Sequence, residues 1–185
     1  MSNTYVALLR GINVGGNNMV SMKALKQSFE QLGFKDVSTY INSGNVLFRT
    51  KAADARKLES KIDRMLAQEY GLQGGTVVRS HTEMSRLNQT IAETWKRRSE
   101  DWRYNVVFLR SEIDSDAVLE AVTIKPDIER VVYCPGTLLW SARVDGLTRS
   151  AMSKLASRPI YKQMTVRNIN TTIKLCDLLD RLHEQ

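Results

Sequence analysis

With 185 residues and 42% apolar side chains, the chain can bury a core without covalent staples, as one medium domain or two small ones. Two cysteines in no CxxC spacing and two histidines offer neither a zinc set nor a redox pair, so no metal and no cofactor are expected, and both thiols read as buried. No apolar run approaches the roughly 18 residues of a membrane span, and MSNTYVALLRG lacks the basic region and cleavage site of a leader, so a cytoplasmic protein with no membrane partner is expected.

In chain order, residues 4–10 read as a strand and residues 21–32 as a helix, with Leu25, Phe29 and Leu32 on one face, Ser21 as N-cap and Gly33 just past the end. A hairpin follows, its runs at 37–41 and 46–49 joined by Asn42-Ser43-Gly44-Asn45. Ala55, Leu58, Ile62, Met65 and Leu66 then mark a second helix that Gly71 ends, and residues 75–79 give another strand.

After a helical connector at 82–94 the same order recurs. Strands are predicted at 104–109, 128–134, 138–143 and 164–167, and helices at 114–122 and 147–158, the latter marked by Leu147, Ala151 and Leu155. A further helix is predicted over 171–183. The pattern predicts an α+β protein: a tandem pair of ferredoxin-like βαββαβ units, each an antiparallel sheet with helices on one face, plus a C-terminal helix. The units are placed at 1–80 and 103–185, with 81–102 as connector.

Between the first strand and first helix, Leu9-Arg10-Gly11-Ile12-Asn13-Val14-Gly15-Gly16-Asn17-Asn18 can bring backbone N–H groups, a guanidinium and a helix start to one point, as an anion requires. The loop matches neither GxGxxG nor a Walker sequence. Arg167-Asn168-Ile169-Asn170-Thr171, again at a strand-to-helix junction, is the second candidate, with Arg167 able to hold an anion beside a capped helix start. In such a unit the first loop is expected at the sheet end opposite the hairpin, and residues 167–171 are expected beside Pro135-Gly136.

The formal net charge is +7, and residues 146–174 carry six Lys or Arg and no Asp or Glu, so Arg149, Lys154, Arg158 and Arg167 are predicted to share a basic surface suited to phosphates. Trp95, Trp102 and Tyr104 beside Lys96, Arg97 and Arg98 form a mixture suited to single-stranded nucleic acid, but the preferred reading of the two tryptophans is core packing at the repeat junction. The RNP1 pattern is absent. His81 and His183 have no visible nucleophile partner, and no GxSxG or SxxK occurs, so an enzymatic role is left open.

LLRGINVGGNN, TYINSGNVLF and TVRNINTT, in this order, resemble the signature of a widespread bacterial family known as domain of unknown function 1697. The resemblance implies a cytoplasmic bacterial α+β protein and brings no activity, substrate or cofactor with it. It falls on Arg10, Gly11, Asn13, Gly15, Gly16, Ser43, Gly44, Asn45, Arg167, Asn168, Asn170, Thr171 and Lys174. A signature concentrated in loops points to a ligand, because loops otherwise tolerate change.

The expected ligand-binding set is these residues apart from the hairpin's Ser43 and Gly44. The expected function is binding of an anionic, phosphate-bearing partner, a nucleotide or nucleic acid, by a monomer or weak homodimer. The alternatives are an enzyme acting on a phosphorylated small molecule and a structural adaptor without ligand.

Overall fold

In the computed structural model, which describes residues 3–13 and 18–185, a first antiparallel sheet forms from β1 (Asn3–Leu8), β2 (Lys35–Tyr40), β3 (Asn45–Thr50) and β4 (Val77–Ser80) in the order β2-β3-β1-β4. Register places Tyr5 opposite Phe48 and Ala7 opposite both Val46 and Val78, so these side chains share one face. The apolar stripes of α1 (Met22–Gln31) and α2 (Ala55–Tyr70) close over it, adding Leu25, Phe29, Leu58, Ile62, Met65 and Leu66 to a continuous core. Ser21 caps α1 by accepting from the Ala24 amide, Asp54 caps α2, and Gly71 ends α2 in the left-handed region. Helix α3 (His81–Thr94) leads on to the second sheet.

That sheet repeats the arrangement with β5 (Trp102–Leu109), β6 (Glu129–Cys134), β7 (Thr137–Arg143) and β8 (Met164–Asn168) in the order β6-β7-β5-β8, again antiparallel. Its crossovers differ from the two helices predicted. Residues Asp116–Ala121 form a 3-10 segment, and the stretch predicted as one helix divides into a 3-10 segment at Val144–Arg149 and the five-residue α4 (Ala151–Leu155).

The break has two local causes. Ser150 stands in extended geometry as the N-cap of α4, and Gly146 packs so tightly that a Cβ would lie 2.9 Å from Ile128 Cβ. The cap is anchored by a buried carboxylate. Glu129 accepts from Ser150 Oγ, from the Ala151 amide (3.0 Å to each oxygen), from Trp140 Nε1 (3.1 Å) and from the Lys125 amide (2.9 Å). Val118, Trp140, Ala151 and Leu155 share the core under that face.

The last helix, α5 (Ile169–Glu184), corrects a further expectation. Thr4 and Arg49, paired across β1 and β3, point away from the α1/α2 core. Thr4 Oγ1 lies 3.4 Å from His183 Nδ1, and Arg49 Nη2 donates to the Leu182 carbonyl. The first sheet therefore carries helices on both faces, not one.

Two compact units result, Met1–Arg86 with Lys174–Gln185 and Leu87–Ile173, with divisions inside α3 and α5. Most of the C-terminal helix, which sequence pattern assigns to the second unit, thus belongs with the first. Among the described residues no helix is long and apolar enough to cross a membrane.

Candidate ligand-binding site

The N-terminal loop is held by its own asparagines. Asn13, at φ 53°, accepts from the Val20 amide through Oδ1 (2.7 Å) and donates through Nδ2 to the carbonyls of Val20 (3.0 Å) and Asn42 (2.9 Å). Asn18 Nδ2 donates to the Gly11 carbonyl at 2.9 Å. Gly15 and Gly16 lie outside the described residues, and Arg10 is half-buried.

The bond from Asn13 to Asn42 corrects the placement predicted for this loop. β1 runs antiparallel to β3 and Leu8 pairs with Asn45, so the loop and the hairpin occupy the same end of the sheet. Asn45 is fully buried, its Nδ2 donating to the Tyr40 carbonyl (3.1 Å) and to Ser43 Oγ (3.0 Å), and so helps to set the hairpin.

The start of α5 is built differently. Asn168 caps it, accepting from the Thr171 amide at 2.8 Å, while Thr172 Oγ1 donates to the Asn168 carbonyl. Because Asn168 pairs with Asn105 near the start of β5, this junction lies at the opposite sheet end from Pro135-Gly136, contrary to expectation. Arg167 is 8% exposed, with Nη1 donating to Thr165 Oγ1 (3.0 Å) and the Val166 carbonyl (2.9 Å); burial holds its pKa down at about 10. It cannot belong to the exposed basic surface predicted for it.

An open groove of 310 Å³ lies at this junction. Asn168, Ile169 and Asn170 line one side, and Arg98, Ser99, Glu100, Trp102, Arg103, Tyr104 and Asn105 line the other. Beside it, a smaller cleft is lined by Trp95, Arg97, Trp102, Tyr104, Arg130 and Val132 over Leu139 and Ser141. Trp102 and Tyr104 border both.

These aromatics are half-buried rather than core residues. The Arg130 guanidinium sits 5.2 Å from the centre of the Trp102 ring, and Trp95 meets Tyr104 edge-on at 5.1 Å. Arg103, flanked in sequence by Trp102 and Tyr104, is within reach of a reading by linear proximity, whereas Arg130 is not. Register supplies the missing signal for Arg130, which pairs with Ser141, itself opposite Tyr104.

The other predicted residues are dispersed. Lys154 and Arg158 border a separate cleft with Lys125, on the α4 side of the second sheet. Lys125 Nζ donates to the Arg149 carbonyl at 2.6 Å, and Arg158 donates to that of Ala121. Thr171 is buried within the capping turn, and Lys174 belongs to the first unit.

One arrangement has no sequence signal at all. His81 and His183, the chain's two histidines, stack at 4.0 Å in the first unit, with His81 Nε2 2.7 Å from Asp180 Oδ1. Ser85 Oγ approaches that same nitrogen at 3.4 Å, so the three do not form a relay through opposite ring atoms. Among the described residues no cluster suited to a metal ion occurs. Cys176 donates to the Met84 carbonyl, and burial pushes its thiol up to about 12, well outside the range of a reactive thiolate.

A search of curated proteins returned no match. Among solved structures, the chain is similar to the conserved bacterial protein SP0830 from Streptococcus pneumoniae, with 28% identity, a TM-score of 0.83, and coverage of 97% of this chain and 99% of that one. The family profile described as "Protein of unknown function (DUF1697)" matches residues 2–140. That span covers all four strands of the first sheet and the aromatic stretch of β5, and the chain belongs to the DUF1697 family.

Proposed function

We propose that this chain, a tandem of two ferredoxin-like units, binds a phosphate-bearing nucleotide or nucleic acid in the groove at the start of α5. The tandem reading rests on the 2-3-1-4 strand order repeated in both sheets and on the crossover segments between their strands. The protein is proposed to act in the cytoplasm, as a monomer or weak homodimer.

One observation carries the functional reading: a single groove is lined by Trp102 and Tyr104, by the exposed arginines Arg98 and Arg103, the latter leaving β5 on the opposite face from the two aromatics, and by the first residues of a 16-residue helix. A base stacks on an aromatic ring, phosphate oxygens accept paired hydrogen bonds from guanidinium, and the positive end of a helix favours the same charge. Asn168 and Asn170, two of the residues singled out in the third signature block, lie on its rim. The asparagines of the first block support their own loop instead.

Thermal denaturation with ATP, AMP and pyrophosphate tests this. The reading predicts a midpoint that rises with nucleotide concentration, and loss of that rise in Arg98→Glu/Arg103→Glu with the unliganded midpoint nearly unchanged, since both side chains are exposed. No rise with any of the three at millimolar concentration, or an equal rise in the double variant, contradicts it.

A further inference from the structure

We infer that the ligand is a single-stranded nucleic acid at least two nucleotides long, laid across the groove and the neighbouring cleft. The inference rests on the reading just given and extends it from a phosphate-bearing ligand to a polymer.

Three observations support a continuous track. Trp102 and Tyr104 line both depressions. They stand two residues apart on β5, so they share a sheet face at a spacing of about 6.8 Å, roughly twice the 3.4 Å step of a stacked strand, as a strand with its bases unstacked requires. The cations are divided between the depressions: Arg98 and Arg103 line the groove, Arg103 from the face of β5 opposite the two aromatics, and Arg97 and Arg130 line the cleft, so a strand joining the two passes around the edge of β5. A mononucleotide engages one pair only.

The arginines are also available. Among the described residues, the guanidinium groups of these four make no hydrogen bond or ion pair, and the contact of Arg130 is with the face of Trp102. A guanidinium stacked on indole leaves its edge N–H groups directed away from the ring plane's centre, where a backbone phosphate can accept from them. Against these four charges, Glu100 is the one carboxylate lining either depression. A duplex does not suit the arrangement, because its base faces are stacked on one another and closed to aromatic side chains.

Fluorescence anisotropy of the full chain with fluorescein-labelled dT10 and rU10 in 50 mM salt tests the inference, with AMP, dinucleotide and tetranucleotide as competitors. Competition should strengthen at least tenfold from AMP to the tetranucleotide, and four phosphate contacts give a log–log salt slope of about −2 to −3. Arg97→Glu/Arg130→Glu should lose at least tenfold in affinity for dT10 or rU10 while AMP binding stays within twofold. Comparing the two probes shows whether the strand is DNA or RNA. AMP binding without gain on lengthening, a double variant with undiminished oligonucleotide affinity, or equal binding of a blunt duplex overturns the inference while leaving the nucleotide groove intact. Failure of every nucleotide and oligonucleotide to bind overturns both.

Discussion

The backbone amide of Leu9 donates to the carbonyl of Gly44 at 2.7 Å, and the same bond recurs in the second unit between Leu109 and Gly136 at 2.9 Å. Each closes the gap between the end of a central strand and the hairpin beside it. Gly44 sits at φ +75°, and a Cβ there would lie 2.8 Å from both Ile12 Cδ1 and Leu9 Cβ. Strain and overpacking therefore coincide, and Gly44→Ala should cost about 2–4 kcal/mol in urea denaturation. Gly33→Ala provides the control, because Gly33 has φ +84° but open space around it, and should cost about 1 kcal/mol. Equal costs at the two sites would show that the packing of Ile12 on the hairpin contributes nothing.

Glu129 is the polar keystone of the second unit. Removing its carboxylate in Glu129→Ala leaves the indole, the hydroxyl and two amides without their acceptor in a buried setting, at an expected cost of about 3–5 kcal/mol. Glu129→Gln retains one accepting oxygen and should cost about 2 kcal/mol. A denaturation midpoint for the alanine variant within 1 kcal/mol of the parent would contradict this assignment.

Cys176 links stability to alkaline pH. Its thiol titrates near 9 when unfolded and is pushed by burial up to about 12 when folded. Below pH 9 both states carry the neutral thiol and its stabilising contribution is complete. Between pH 9 and 12 the unfolded chain releases the proton first, so the contribution falls as pH rises. The stability difference between the parent and Cys176→Ala should narrow by up to about 1.4 kcal/mol per pH unit in that window. A difference that stays flat from pH 8 to 11 would contradict the shift.

The strands were legible because alternation and turn residues mark them locally, as in Val46 to Phe48 beside Ser43-Gly44. The crossovers of the second unit were not, because the stripe of Leu147, Ala151 and Leu155 resembles a continuous helix and nothing local reveals that Ser150 is committed to Glu129. A glutamate beginning a strand reads as surface until its donors, from residues 125 to 151, are assembled around it.

The same applies to the site. The third signature block marked Asn168 and Asn170, but the walls opposite them come from residues 98–105, and Arg130, which lines the neighbouring cleft, is brought beside Tyr104 through strand register alone. Arg167 looked like the anion-binding cation because it is an arginine at a strand end. Pleat register sets its side chain beside Thr165, on the sheet face away from the α4 core, and it is nonetheless only 8% exposed, which the residue type does not disclose. The stacked histidines, contributed by α3 and α5, carry no signature in any short window.

The chain's three tryptophans provide the most direct measurement of ligand binding at the groove. In a heteronuclear NMR titration with ATP, the indole N–H resonance of Trp102, on the groove wall, should move, while that of Trp140, buried and donating to Glu129, should stay in place. Movement of Trp102 alone or together with Trp95 supports the account. At saturating nucleotide, the absence of any indole shift, or shifts confined to the amides of residues 10–13, would contradict it.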